Sequence, residues 1–245
     1  QKEWVSTAHA DAWAGLQNSG AAQGFCEGCH TVNELGNAAT GDAGHTATGE
    51  ERYYDVQCES CHGPGLAHVN DPSDATVPLA YMDIAHDGTT VDATAAGCAQ
   101  CHTGDHHPYA EEWVTSSHAS VNAYPAGRAD CQSCHTGEGA LAMFGVSTTY
   151  AEEDDVAQPG EHLAITCAVC HDPHGSDNSG QLRQPIDVPD ENVNLCMQCH
   201  HKRGVPDPTT FRGPHSPEGP TLLGIAGWWP PDLQQPIVST HGSPD

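Results

Sequence analysis

The sequence predicts a mostly irregular chain of short α-helices with little β-structure, built as two tandem modules of three sites each. Three observations lead there. Gly and Pro together make up 44 of 245 residues (26 and 18), which disfavours long helices and regular strands. Large aromatic side chains are few, with three Phe, five Trp and six Tyr, so the polypeptide alone can build only a small core. One five-residue pattern, Cys-x-x-Cys-His, occurs six times and uses all twelve cysteines.

The six copies are Cys26/Cys29/His30, Cys58/Cys61/His62, Cys98/Cys101/His102, Cys131/Cys134/His135, Cys167/Cys170/His171 and Cys196/Cys199/His200. This pattern is the attachment signature of c-type haem: two thiols add across the vinyl groups and the adjacent histidine becomes an axial iron ligand. Random placement at this composition would give about 0.04 copies. Other uses of cysteine do not fit. A disulfide framework has no need of a histidine after every second Cys. Zinc sites combine two Cys-x-x-Cys arms, or one arm with a His pair. Iron–sulfur clusters take four thiolates at other spacings. The reading is a haem-packed multihaem cytochrome c carrying six haem c. Each helical turn places Cys, Cys and His, at i, i+3 and i+4, on one face. With about 41 residues per haem, the cofactors must pack against one another and supply much of the apolar core.

The two modules follow from an internal repeat. Residues 3–10 read EWVSTAHA and 112–119 read EWVTSSHA, an offset of 109 that Cys58 and Cys167 share. The first and third motifs are offset by 105 and 98. The expected modules are 1–110 and 111–245, the second carrying a proline-rich C-terminal arm, in one continuous body. Residues 2–18 and 110–122 have helical composition, with Trp4, Ala8, Ala12 and Leu16 near one face. Residues 36–50 and 71–92 read as surface loops, and 204–245 as an extended arm.

The sixth coordination position decides what each haem does. A second histidine gives a low-spin iron suited to electron transfer, whereas an open position can bind a substrate. Twelve of the eighteen histidines remain after the six proximal ones, so Met82, Met143 and Met197 are not required. His9 and His118 occupy matched repeat positions. His68 and His174 follow the middle motif of each half through tight Pro/Gly turns. His107 precedes Pro108, and His215 lies in a proline-stiffened segment. These six are the expected distal ligands. His45, His86, His106, His162, His201 and His241 read as surface or supporting side chains, with His162 the first substitute.

With 33 acidic and 7 basic residues the formal charge is −26, which excludes nucleic acid as a partner. No apolar run is long enough to span a membrane, and no EF-hand loop for calcium appears. Haem is attached to this motif outside the cytoplasmic membrane, so the expectation is an extracellular protein, or a periplasmic one, secreted with its signal peptide removed before Gln1.

Through EWVSTAHA, CESCHGPGLAH, CAQCHTGDHHPYAEEWVTSSHA, CAVCHDPHG and RGPHSPEGPTLLGIAGW, the chain resembles the multihaem cytochromes c related to hydroxylamine-oxidoreductase and nitrite-reductase-type haem packing. The resemblance implies distal ligation by His9, His118, His68, His107, His174 and His215. The chain departs from it in having no Cys-x-x-Cys-Lys motif and no sign of a tyrosine cross-link, which points away from catalysis. It also looks like the filament-forming extracellular cytochromes called nanowires, which implies bis-histidine haems in a continuous line and a haem ligand shared between subunits. The expected function is electron transfer as a subunit of such a filament, with other copies of itself and redox proteins or extracellular acceptors as partners. The alternatives are a soluble periplasmic shuttle and a reductase with one open haem.

Overall fold

The computed structural model describes residues 3–33, 44–73, 80, 84–93, 97–146, 162–201, 209, 215–224 and 232. Among these the chain is short α-helices, 3-10 turns and coil, and its β-structure consists of two isolated antiparallel bridges, Thr31 with Tyr54 and His86 with Val91. The chain divides into two compact units, Gln1–Ser176 and Asp177–Asp245. The first carries α1 (Ala12–Asn18), α2 (Glu27–His30), α3 (Gly44–Thr48), α4 (Cys58–His62), α5 (Leu66–Asn70), α6 (Tyr109–Val114), α7 (Ala123–Ala126), α8 (Ala129–His135), α9 (Gly137–Met143) and α10 (Cys167–Cys170). The second carries α11 (Glu218–Leu222). The longest of these run to seven residues, too short to hold themselves in water. Punctuation explains the lengths: Gly63 follows α4 with φ +71 and Gly145 follows α9 closely with φ +76, a backbone region glycine enters freely.

The expected helix over 2–18 is broken. A 3-10 turn at Trp4–Ser6, another at Ala8–Asp11 and α1 share that stretch, because Thr7 is extended (φ −87, ψ 161) and its hydroxyl accepts from the Ala10 N–H. A Thr in this capping role halts one helical run and starts the next. The expectation over 110–122 fails in the same way. α6 ends at Val114, and Ser116, also at φ −87 and ψ 161, accepts from the His118 N–H ahead of a 3-10 turn at Ser117–Ala119. The buried residues of the first stretch are Thr7 and Trp13, not the Trp4 face.

The 109-residue offset recurs in hydrogen bonds. The His9 carbonyl accepts from the Val56 N–H at 3.0 Å and the His118 carbonyl from the Ile165 N–H at 3.1 Å. The Thr7 and Ser116 hydroxyls each donate at 2.7 Å to the carbonyl of the Trp three residues back. After the third motif of each half, the Ala110 N–H donates to His102 and the Gly219 N–H to His200, at 3.0 and 2.9 Å. α6 and α11 are preceded by Pro108 and Pro217, the same offset apart.

Two apolar clusters sit in the first unit. Ile84, Ala99 and Ala110 pack with Val91, Trp113 and Cys167, while Ala140, Leu141 and Val169 pack with Phe144, Val146, Ile165 and Cys170. Six of the sixteen buried hydrophobic residues among those described are alanine, so the core is thin and runs up to the cysteines. Ile84 is 2 % exposed, which corrects the surface-loop reading of 71–92 at that position. Within 36–50, residues 36–43 lie outside the described residues and Gly44–Thr48 is helical with His45 buried. Most of 204–245 also lies outside them. Its described part includes the helix α11, not an extended arm.

Candidate haem site

All six motifs adopt a single turn. The first runs from a 3-10 turn at Gly24–Cys26 into α2, the second forms α4, the fourth ends α8 and the fifth forms α10. The third and sixth are 3-10 turns at Cys98–Gln100 and Cys196–Gln198. The backbone around each is fixed locally. Gln57 and Ser60 form a capping box at the start of α4. Behind the first and fourth motifs, Thr31 and Thr136 donate both N–H and hydroxyl to the Glu27 and Gln132 carbonyls. In the second unit, the buried Asn194 accepts from the Cys196 N–H at 3.0 Å while its amide donates to the Ile186 and Val188 carbonyls. No disulfide joins any of the twelve cysteines.

Within the first unit the attachment points converge. The Cys29 and Cys101 thiols hydrogen-bond to each other, as do those of Cys98 and Cys167. Cys61 lies within electrostatic reach of Cys98 and Cys101. The Cys101 bond draws the Cys29 thiol down to about 6 against the opposing effect of burial, and pushes Cys101 up. Motifs one, two, three and five therefore share one neighbourhood.

The fourth and sixth motifs lie apart in the chain, around Cys134 and Cys199. Cys131 and Cys134 lie half-buried on α8, where Cys131 hydrogen-bonds to the Arg128 side chain and the Cys134 Sγ stands 3.8 Å from the neighbouring Ser133 hydroxyl. The Cys29/Cys101 and Cys98/Cys167 bonds, by comparison, join different motifs. Cys199 belongs to the second unit and is half-buried. It follows its 3-10 turn at φ −111 and ψ −37, much as Cys101 follows the third motif's turn at φ −115 and ψ −34. The Asn194 side chain takes the Cys196 and Met197 N–H groups, at 3.0 and 3.3 Å.

Histidine 102 is the centre of the shared neighbourhood. The His9 ring stands 6.0 Å away and the His107 ring 5.9 Å away, centre to centre. Burial, reinforced by His9, His107, His171 and His30, lowers the His102 ring to about 4, and burial lowers His9 as well. Both are neutral near pH 7, the form that coordinates metal. The His107 Nδ1 is buried without a hydrogen-bond partner. His30 is oriented by a 2.8 Å bond between its Nδ1 and the Ala12 carbonyl, which leaves Nε2 for a metal. A separate pair, His62 and His174, stands 6.0 Å apart with ring planes 10° from parallel. Two imidazoles sharing one metal ion at bonds of about 2 Å stand roughly 6 Å apart, centre to centre. Neutral rings, that spacing and one-faced Cys, Cys, His turns fit haem c.

The other proposed ligands are placed as follows. His68 is half-buried on α5, His118 exposed in its 3-10 turn, and His215 exposed ahead of α11. His135 ends α8 half-buried, His171 is exposed after α10, and the His200 Nδ1 lies 3.3 Å from the Glu218 carboxylate. His162, the expected substitute, is held at 2.5 Å by Glu138. His201 is bonded to the Met197 carbonyl, His106 stacks on Phe25, and His86 meets Trp113 edge-on at 5.3 Å. His241 lies outside the described residues.

Residues 162–204, which span the fifth and sixth motifs, match the family of the doubled CXXCH motif. The chain is 25% identical over 169 residues to the multiheme cytochrome MtrA of Shewanella baltica, covering 61% of this chain and 44% of that one. It is 28% identical over 208 residues to the C-type polyheme cytochrome OmcB of Geobacter sulfurreducens, covering 72% of this chain and 25% of that one. No solved structure matches. The chain is a multihaem c-type cytochrome. It spans between a quarter and under a half of the length of these relatives. No helix among the described residues of this cytochrome is long and apolar enough to cross a membrane.

Two supporting groups stand out in the structure, His45, which the sequence left between a surface and a supporting role, and Asp55, which it did not mark. His45 is buried, 8 % exposed, between Trp13 and Tyr54 at 5.5 and 5.4 Å, with its Nδ1 3.7 Å from the Glu27 carboxylate beside the first motif. No repeat or turn signal marks it. Asp55 sits at φ +67, and its carboxylate accepts from the Trp13 and Ala14 N–H groups at 2.7 and 3.1 Å. It thereby caps α1 in place of Asp11, whose side chain makes no cap bond.

Proposed function

We propose that this cytochrome carries six covalently attached haem c groups with bis-histidine ligation and transfers electrons along them, without catalysing a reaction of its own. The observation that carries the reading is the convergence on His102 and on the Cys29/Cys101 and Cys98/Cys167 thiols, which gathers attachment motifs from both halves of the repeat in one neighbourhood. Haem c supplies the one-electron centre. The chain's part is to hold the His9 and His102 rings neutral by burial, orient others through bonds such as His30 to Ala12, and keep water away with a thin apolar lining. The proximal ligands are His30, His62, His102, His135, His171 and His200, and the distal ones are drawn from His9, His68, His107, His118, His174 and His215. The fourth and sixth haems are attached through Cys131 with Cys134 and through Cys196 with Cys199. Residues 1–110 and 111–245 act as two three-haem modules.

The larger reading is a head-to-tail extracellular filament of this chain, built through an interface that does not close on itself. The resemblance to filament-forming cytochromes supports it, as does the tandem three-motif repeat that opens at Glu3–Trp4 and Glu112–Trp113. The test is electron microscopy of the native holoprotein together with its intact mass. Fibres of constant width and six haem masses are the expected results. Discrete particles overturn the filament, and fewer than six haems overturns the ligand count.

A further inference from the structure

We infer that His174, from the second half of the repeat, is the sixth iron ligand of the haem attached at Cys58 and Cys61, opposite His62. The inference rests on the covalent-haem reading above and assigns one cofactor its cross-half ligand.

Three observations meet here. The His62 and His174 rings stand at the roughly 6 Å separation of an axial pair, with planes 10° apart. The turn that presents His174 is fixed on both sides. Asp172 accepts from the His174 N–H at 3.0 Å, and its backbone carbonyl accepts from the Gly175 N–H at 3.1 Å. Gly175, at φ +129, lies so close to the opening stretch of chain that a Cβ there would meet the Glu3 carbonyl at 2.9 Å and the Thr7 methyl at 3.4 Å. The loop is therefore seated on the 3–10 segment of the first half as well as on Asp172 beside its own motif.

The third observation is a break in the repeat. Under the 109-residue offset His174 corresponds to Gly65, and His68 corresponds to Asp177. The middle motifs, otherwise equivalent, do not carry equivalent histidines after them. An exchange across the halves accounts for this: the first half's middle haem takes its distal ligand from the second half's CHDPHG turn.

The test uses the matured holoprotein. His174→Ala is expected to keep the full haem mass, convert one haem from low to high spin, bind carbon monoxide there, and return to low spin on adding imidazole. In a Cys58→Ala/Cys61→Ala background, which lacks that haem, His174→Ala is expected to add no further high-spin signal. A new high-spin haem in that background overturns the pairing, as does a His174→Ala protein whose haems all stay low-spin. If the cysteine variant does not accumulate, the ring angle gives a second readout. Near-parallel imidazoles produce a rhombic low-spin EPR signal, and His174→Ala should remove one such component. Loss of a strongly anisotropic component instead overturns the pairing. Absence of covalent haem by mass would overturn the functional reading itself, a separate result.

Discussion

Asp55 offers a direct link from one side chain to the haem centres. Its carboxylate caps α1 through the Trp13 and Ala14 N–H groups, and the next residue, Val56, donates to the His9 carbonyl at 3.0 Å. α1 in turn presents the Ala12 carbonyl that orients His30. Asp55→Ala removes the cap, a loss of about 1–2 kcal/mol, and leaves a Cβ in a left-handed conformation. Asp55→Gly removes the same cap but relieves the φ +67 strain, which lowers the cost by about 1 kcal/mol. Asp55→Asn keeps an acceptor oxygen and should stay within about 0.5 kcal/mol of the parent. The assay is a urea titration of the holoprotein followed by its low-spin haem absorption. The expected midpoints run parent, Asn, Gly, Ala in falling order. An Asp55→Ala midpoint equal to the parent's, or Gly falling below Ala, would refute the remote-cap argument.

Other expectations follow from the same geometry. Carbon monoxide added to the reduced holoprotein should leave the haem spectrum unchanged, whereas a rapid shift would reveal an open coordination position. Gly137→Ala should lower stability by about 2–4 kcal/mol, through overpacking and loss of a hydrogen bond. Its Cβ would lie 2.2 Å from the Ala164 carbonyl, and the 2.7 Å bond from Gly137 to Leu163 would be lost. Gly145→Ala, at φ +76 with open space around it, should cost about 1 kcal/mol, and equal midpoints for the two variants would count against the packing argument. Trp113→Phe removes the 2.8 Å bond from Nε1 to the Ile165 carbonyl and should cost about 1–3 kcal/mol in the same titration.

The parts of this molecule legible in its sequence are those encoded within a few residues. Six Cys-x-x-Cys-His turns must place three side chains on one face, and each forms a turn, four of them with an α-helix and two as 3-10 turns. The scarcity of strand follows from glycine and proline. The break at Thr7 was readable in principle, because Thr7 and Ser116 hold matched capping positions, but helix composition over 2–18 concealed it. Long-range placements were not legible. His62 and His174 are far apart in sequence, Asp55 caps a helix 42 residues upstream, and a lone Ile84 in a Gly/Thr/Asp-rich stretch becomes core only because Ala99 and Ala110 come to meet it. Spacing alone also offered His9 and His107 as ligands of different haems, whereas both rings stand about equally far from His102.

The helices that follow Pro108 and Pro217 close one stretch of chain, by donating a hydrogen bond to the preceding motif's histidine carbonyl, and stand where the next repeat opens. A joint of this kind is inherited with every duplication. A lineage can lengthen such a cytochrome in steps of 109 residues, each bringing three attachment motifs, without evolving a new seam between old and new segments. Gene length then becomes a way of setting how many attachment motifs one chain carries.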